Sequence, residues 1–270
     1  MKSAVTISLV PEARGGPFVF WDDLAAGCRR AKEYGFDAVE VFPPEPDAID
    51  PAVLRSLLDE CGLSLAAVGT GAGWVKHKLT LTSPDESIRG KALGFIESVM
   101  DFAAQFQAPA IIGSMQGRSG DGVDRQTALR YLGNALFKLD EHAIALGVPL
   151  LYEPLNRYET NLINTLADGA QMLRGVATRN VKLLADLYHM NIEEANLADT
   201  LRAAGPAVGH IHFADSNRRA AGLGHTDFSP IITALRSMGY EGYLSAEILP
   251  LPDADTAARQ TIDSFRRYTV

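Results

Sequence analysis

Leu150-Leu-Tyr-Glu-Pro-Leu-Asn-Arg-Tyr-Glu-Thr160 is the stretch on which the fold turns. A short apolar run stops at Glu153, is followed by Pro154, and carries a second acid at Glu159. In a parallel sheet covered by helices the strands are nearly continuous apolar runs. An acid in the last position, followed by a residue that cannot donate to the ladder, therefore marks an exit into a cavity. The event recurs downstream. Val181-Lys-Leu-Leu-Ala-Asp186 ends in Asp186, Val208-Gly-His-Ile-His-Phe213 carries His212, and Tyr243-Leu-Ser-Ala-Glu247 ends in Glu247. The four residues lie 33, 26 and 35 positions apart, close to one strand-helix unit each. Four successive units each deliver one ligand-type side chain.

Outward from that stretch, strands are expected over residues 5–9, 37–42, 63–68 and 110–113. Glycines 35, 62, 147, 205 and 239 stand where a helix takes its left-handed terminal residue, and an apolar run follows each. Helices fit 21–34, 125–146, 166–176, 195–204, 229–238 and 255–268 by apolar periodicity. Before strand four, Ser83 can cap a helix, Pro84 suits its first position and Glu86 completes a capping box. Eight strands alternating with eight helices, with no linker-like shift in composition, predict one domain over 1–270, a (β/α)8 TIM barrel. A doubly wound open sheet would want a glycine-rich fingerprint after strand one, and Gly15-Gly16 does not supply it. In a closed barrel the strand C-termini converge, so Glu153, Asp186, His212 and Glu247 become neighbours.

Bulk properties exclude several function classes. The chain has 270 residues, 47% of them hydrophobic, and a net charge of −8 with no basic patch, which argues against a nucleic-acid partner. Its N-terminal apolar run is too short for a signal peptide and no run is long enough to span a membrane, so the expected location is the cytoplasm. Cys28 and Cys61 lack a metal or redox spacing and read as packing thiols in a reducing compartment.

Three carboxylates and one imidazole suit a divalent ion, Mn2+ before Co2+ or Mg2+ and with Zn2+ less favoured, because the set is mostly hard oxygen with a single nitrogen. A lone strand-end acid is commonly a helix cap or half of a salt bridge. Four in consecutive units form a pattern that this does not explain. His210 shares a strand face with His212 and reads as a supporting or core histidine.

These segments resemble the ketose 3-epimerases of the D-tagatose and D-psicose type, within the xylose-isomerase-like superfamily. The resemblance runs through residues 153–159, Asp186-Leu-Tyr-His-Met-Asn-Ile-Glu-Glu194, His210-Ile-His-Phe-Ala-Asp-Ser-Asn-Arg218, Gly224-His-Thr-Asp227, Glu247 and the loop Leu79-Thr-Leu-Thr-Ser-Pro-Asp85. It implies that Glu153, Asp186, His212 and Glu247 hold the metal, that Glu153 and Glu247 double as the acid/base pair, and that Glu159, His189 and Arg218 bind a carbohydrate substrate. It also implies a homo-oligomer, dimer or tetramer. Inverting a carbon beside a ketone requires taking a proton from one face and returning one to the other, hence two carboxylates. The metal stabilises the charge that develops.

The chain departs from the family pattern at two places. Thr6-Ile-Ser-Leu-Val10 lacks the aromatic residues usual at the first strand's exit, and Ala214-Asp215 replaces Gly-Glu after the seventh strand. The glycine-rich stretch Met115-Gln-Gly-Arg-Ser-Gly-Asp-Gly122 reads as a mobile loop, with a phosphate cradle as the alternative. Free ketose, ketose phosphate, hydroxypyruvate-like acid and keto-sugar derivative all stay open as substrates. A lyase or hydratase on a 3-keto-sugar, a hydroxypyruvate-type isomerase and a non-catalytic sugar-binding barrel are the competing readings. A DNA-repair endonuclease of the apurinic type would need more histidine ligands and a basic groove.

Overall fold

Each of the eight apolar runs forms a strand, and every pairing between them is parallel. The structure is a computed structural model that describes residues 1–120 and 122–269; Asp121, in the glycine-rich stretch, lies outside them. The barrel strands are β1 (Lys2–Ser8), β2 (Ala38–Phe42), β3 (Ser64–Gly69), β4 (Ala110–Ile112), β5 (Leu150–Tyr152), β6 (Val181–Asp186), β7 (Val208–His212) and β8 (Tyr243–Ala246). Strand β1 pairs with β8 through Lys2↔Tyr243 to Val5↔Ala246, and this closes the ring. Phe20–Trp21 adds a two-residue strand beside the end of β1.

Among the described residues the helices are α1 (Leu24–Tyr34), α2 (Pro51–Cys61), α3 (Ala72–Val75), α4 (Glu86–Ala104), α5 (Arg125–Leu146), α6 (Leu166–Gly175), α7 (Leu187–Glu193), α8 (Leu197–Ala204), α9 (Phe228–Ser237) and α10 (Ala254–Thr269). The count exceeds the expected eight because α3 and α7 are short turns of helix between a strand and its main helix, too brief to show apolar periodicity. Two helix starts also differ from expectation. Helix α1 begins three residues late, capped by Asp23, because Phe20–Trp21 is extended and Asp22 takes a φ of 68°. Helix α4 is capped by Asp85, whose carboxylate accepts from Ser87 N, while Ser83 Oγ accepts from Asp85 N one step earlier. The capping signal was present, displaced by two residues from where the motif suggests.

Alternation along the strands sorts the side chains. Val5, Ile7, Val39 and Val41 face the helices in the main core. Ala4, Ala38 and Ala66, with Tyr243 against them, fill the bottom of the barrel, and Ala67, Ile111, Leu151 and Leu184 form the next layer. Leu151 and Leu184 are fully buried, and each contributes about 1.5–3 kcal/mol by that burial. Two residues further along the same faces stand Glu153 and Asp186, so the apolar layer is the floor of the site.

Two register shifts set the angular positions on that floor. Val39 pairs with Leu65 and Glu40 with Ala67, leaving Ala66 as the extra residue. Leu183 pairs with Val208 and Leu184 with His210, leaving Gly209 extra. A bulge of this kind re-aims the residues after it. Gly209 has to be glycine, since a Cβ there would come 2.7 Å from Lys182 Cβ.

Candidate active site

Glu153, Asp186, His212 and Glu247 meet at the C-terminal mouth of the barrel. One donor atom from each lies within 4.8 Å of the others, and all four side chains are buried. His212 Nδ1 is the hub, 3.4 Å from Glu153 Oε1, 3.7 Å from Asp186 Oδ2 and 3.6 Å from Glu247 Oε2. Glu153 Oε1, Asp186 Oδ2 and His212 Nδ1 are buried without a hydrogen-bond partner among the described residues. Leaving such atoms unpaired is costly, by about 1–3 kcal/mol each and more for charged groups. A divalent cation at their common centre would satisfy all three at once, and the donor set of three carboxylates and one imidazole fits such an ion.

Asp186 shows that the capping and ligand roles of a strand-end acid are compatible. Its Oδ1 accepts from Tyr188 N at 2.8 Å and caps α7, while Oδ2 faces the cluster. The cap holds the ligand atom in place. Glu153 is held from the fourth loop: Gln116, fully buried, donates to the Glu153 carbonyl at 2.9 Å and accepts from Tyr152 Oη at 2.8 Å. Gly113 leaves room for the carboxylate, because a Cβ there would stand 2.7 Å from Glu153 Oε2.

Beneath the cluster lies a residue that the sequence reading missed. Glu40, fully buried on β2, accepts from His210 Nε2 at 2.8 Å and His212 Nε2 at 3.1 Å. A carboxylate can only accept from these rings, so His212 carries a proton on Nε2 and can present the Nδ1 lone pair to the cluster. Metal-binding histidines are commonly oriented through the opposite nitrogen in this way. His210 is thus a supporting residue, as its position below His212 predicts. The signal for Glu40 was an acid in the middle of the apolar run Ala38-Val-Glu-Val-Phe42, inward-facing by parity with Ala38.

Arg218, Glu159 and His189 also reach the site. Arg218 Nη2 donates to Glu247 Oε2 at 2.7 Å and approaches Asp186 Oδ2 at 3.8 Å, while Nη1 donates to Glu159 Oε1 at 3.3 Å. Its guanidinium also packs over the Tyr188 ring at 4.9 Å. The loop that delivers it is organised by Asp215, whose Oδ1 accepts from Ser216 N and Thr226 N and whose Oδ2 accepts from Gly222 N. His189, on α7, accepts at Nδ1 from the Asn156 backbone N–H at 3.3 Å, so its proton sits on Nε2. That Nε2, buried and unpaired, lies 3.5 Å from Asp186 Oδ2 and 3.9 Å from Glu153 Oε1. Glu159 is the most exposed of the set, at 39%.

As protein alone, the acids divide into two kinds. Burial pushes Glu153 up to about 8 against the pull of His212, and burial likewise raises Glu247. Burial also works to raise Asp186, but His189, His212 and Arg218 outweigh it and hold that carboxyl at about 2. His212 is raised well above the ordinary range because Glu40 and Glu247 overcome the penalty of its burial. A bound cation would lower all three carboxyls.

Glu153 and Glu247 line a cavity of about 290 Å3 together with Glu159 and Arg218. Its far wall is apolar and includes Val10, Phe18 and Phe42. The first strand's exit lacks aromatic residues, as the sequence indicated; Phe18 and Phe42, with ring centroids 4.4 Å apart, supply an aromatic wall from neighbouring segments.

Residues 28–268 match the family model described as xylose isomerase-like TIM barrel. The chain belongs to that family. Within it, the chain sides with the epimerases, enzymes of the isomerase class. It is 30% identical over 242 residues to the D-psicose 3-epimerase of Agrobacterium fabrum, covering 87% of this chain and 79% of that one. With the 3-dehydro-D-guloside 4-epimerase of Escherichia coli K12 it shares 31% identity over 249 residues, 84% of this chain and 88% of the other. The crystal structure of the D-allulose 3-epimerase from Methylomonas sp. in complex with D-allulose superposes with a TM-score of 0.81 at 26% identity, covering 99% and 98% of the two chains.

Proposed function

We propose that this member of the family is a divalent-metal-dependent keto-sugar epimerase, in which Glu153 and Glu247 move the proton at the carbon beside a ketone. The observation that carries the reading is geometric: two buried carboxylates, Glu153 just past the end of β5 and Glu247 just past the end of β8, face one cavity from either side of Asp186 and His212. Strands three apart in an eight-stranded ring approach a central substrate from well-separated directions. One acid takes the proton from its face and the other returns a proton from the opposite face, which inverts the carbon.

The other residues have roles that follow from their atoms. Arg218 donates to Glu247 and adds fixed positive charge where an enediolate oxygen develops. His189 Nε2–H, 3.5 Å from Asp186 Oδ2 and 3.9 Å from Glu153 Oε1, is an unpaired donor beside the ligand acids, suited to a substrate hydroxyl or carbonyl. Glu159, bridged to Arg218, accepts from a hydroxyl at the cavity mouth. Glu153, Asp186, His212 and Glu247 would hold the ion. When bound, a divalent ion supplies positive charge beside the substrate oxygens and makes the neighbouring proton easier to remove. The single imidazole among three carboxylates supports Mn2+.

A ketose 3-epimerase is the reading favoured by most of the named relatives. Inversion at the carbon on the other side of a 3-keto group is the second, supported by the likeness to the 3-dehydro-D-guloside 4-epimerase. Both use the same proton transfer. The chain as a whole, 1–270, would act as one domain. Cytoplasmic residence is supported by two buried free cysteines, and among the described residues no helix is long and apolar enough to cross a membrane. A homo-oligomer rests on the family resemblance.

The test is turnover of ketoses and 3-keto-glycosides in heavy water by the Mn2+-loaded protein. Deuterium is expected at the inverted carbon, and Glu153→Gln or Glu247→Gln, measured with metal content matched to wild type, should cost about 10²–10⁴-fold in rate. Product without solvent deuterium in any turnover would refute two-base transfer.

A further inference from the structure

We propose that the cleft continues beyond the strand-end acids into a second sugar compartment, and that the substrate is a keto-sugar bearing a further sugar ring rather than a free ketose. The proposal rests on the epimerase reading of the inner site. A cavity of about 460 Å3 adjoins the inner one, and Ser114, Leu155 and Glu159 line both. The inner cavity alone stands at the bottom of the range of about 300–1,000 Å3 typical of small-molecule sites, and the two joined stand well within it.

The walls of the outer compartment suit a sugar ring. Trp74 on α3 lines it and is 40% exposed, although Ala72 and Gly73 on the same short helix are buried. Sugar rings present a face of C–H groups that stacks on an aromatic surface, and hydroxyls around their edge that need partners. Thr80, Ser114 and Arg118 line the compartment and offer such partners. Lys78 takes a left-handed φ of 55°, unusual for a lysine, and its ammonium lies 5.0 Å from the Trp74 ring centroid and donates to Val75 O at 3.1 Å. One of the two cations of the compartment is therefore engaged with the indole and a carbonyl, and Glu159 brings negative charge to the same space. This balance favours a neutral ring over a phosphate.

The outer wall and the inner site share one frame. The glycine-rich stretch, read from sequence as a mobile loop, is held at several points. Thr160 Oγ1 donates to Gly117 O at 2.8 Å, Asn161 Oδ1 accepts from Ser119 N at 2.8 Å, and Asn161 Nδ2 donates to Ser119 O at 3.1 Å. Thr82 Oγ1 donates to Gln116 O at 3.1 Å from the other side. Gly117, at φ 80°, sits so close to Thr82 that a Cβ would collide with its Oγ1 and press on Thr80 Cβ at 3.0 Å. The outer wall is thereby tied to the loop that carries Glu159, the residue bridged to Arg218. Contacts made by a distant ring can in this way raise the rate at the reacting carbon, as remote binding energy does when it orients the reactive part.

The experiment compares the Mn2+-loaded enzyme on three probes: methyl 3-keto-β-D-glucopyranoside, cellobiose oxidised to the ketone at carbon 3 of its non-reducing ring, and D-fructose 6-phosphate. Proton exchange in heavy water is followed by NMR. The expected result is a kcat/KM at least tenfold higher for the keto-disaccharide than for the methyl glycoside. Trp74→Ala should lower kcat/KM for the disaccharide at least tenfold more than for the methyl glycoside, and Trp74→Phe, which keeps a stacking face, should restore much of the difference. Equal efficiency on the two glycosides, equal loss on both in Trp74→Ala, or preference for the phosphate would overturn the proposal. If no probe exchanges its proton but free D-fructose does, the second-ring proposal fails and the ketose epimerase reading stands; if D-fructose does not exchange either, the epimerase reading fails, and the compartment is then judged by binding. Cellobiose should quench tryptophan fluorescence saturably in wild type and not in Trp74→Ala; no saturable quenching in wild type counts against it.

Discussion

Replacing Glu40 with glutamine should weaken metal binding without a ligand being touched. The carboxylate accepts one N–H from each of two buried imidazoles, His210 at 2.8 Å and His212 at 3.1 Å. Burial would raise its pKa, but the two imidazoles outweigh burial and hold it far below the usual carboxylate range, so it is ionised. Glutamine has the same shape with one acceptor and one NH2 donor. It can accept from only one ring, and the other must face an NH2 group. If that ring is His212, its proton moves to Nδ1 and the lone pair turns away from Glu153, Asp186 and Glu247. A charge-assisted hydrogen bond is worth about 1.5–3 kcal/mol, and loss of an outer-sphere partner of a metal-binding histidine typically costs about 10–100-fold in affinity. The predicted change is therefore about 10–100-fold in Kd for Mn2+, read by competition with a fluorescent chelator on protein shown to be folded by circular dichroism. Glu40→Asp separates charge from geometry. It keeps the charge but shortens the reach by one methylene, so it too should bind more weakly than wild type. Wild-type affinity in Glu40→Gln would refute the orienting role, and wild-type affinity in Glu40→Asp alone would reduce it to charge.

Other outcomes follow from the same geometry. Asp186→Ala and His212→Ala should each leave less than stoichiometric metal after chelation and refilling, measured by elemental analysis; full tight occupancy in both would remove them from the ligand set. Arg218→Ala, on the true substrate, should cost about 1.5–3 kcal/mol in kcat/KM, roughly ten- to a hundredfold, since a charged hydrogen bond is lost; unchanged kinetics would place the residue outside the mechanism. Gly113→Ala puts a Cβ 2.7 Å from Glu153 Oε2 and should lower turnover more than thermal stability, seen by comparing kcat with Tm. Cys28 is fully buried, and burial, with Cys61 adding to it, raises its thiol from 9.0 to about 12. A raised thiol contributes stability below its unfolded value and loses it as pH climbs from 9.0 toward 12, so native protein at pH 8.5 should resist iodoacetamide at Cys28 until denaturant is added. Rapid labelling in the folded state would contradict that burial.

The barrel and its four strand-end donors were legible in the sequence because both are written locally. An apolar run of strand length, closed by a coordinating side chain and repeated at unit spacing, reports itself without knowledge of its neighbours. Asp186 could be read as a cap or a ligand, and only the structure shows one oxygen doing each. Partnership across the ring is another matter. Glu40 lies 172 residues from His212, and the two meet because β1 closes onto β8 and so brings β2 round to the side of the ring that holds β7. Arg218 reaches Glu247 through a left-handed φ of 58° in a loop folded around Asp215, which no periodicity announces. The aromatic wall comes from Phe18 and Phe42, and the outer compartment from loops of three different strands, so neither has a signature in any one stretch. Side-chain parity along a strand is a property of the local backbone, and the sequence carries it. Register, closure and loop packing are set by the whole ring at once, and they decided which of these residues stand together.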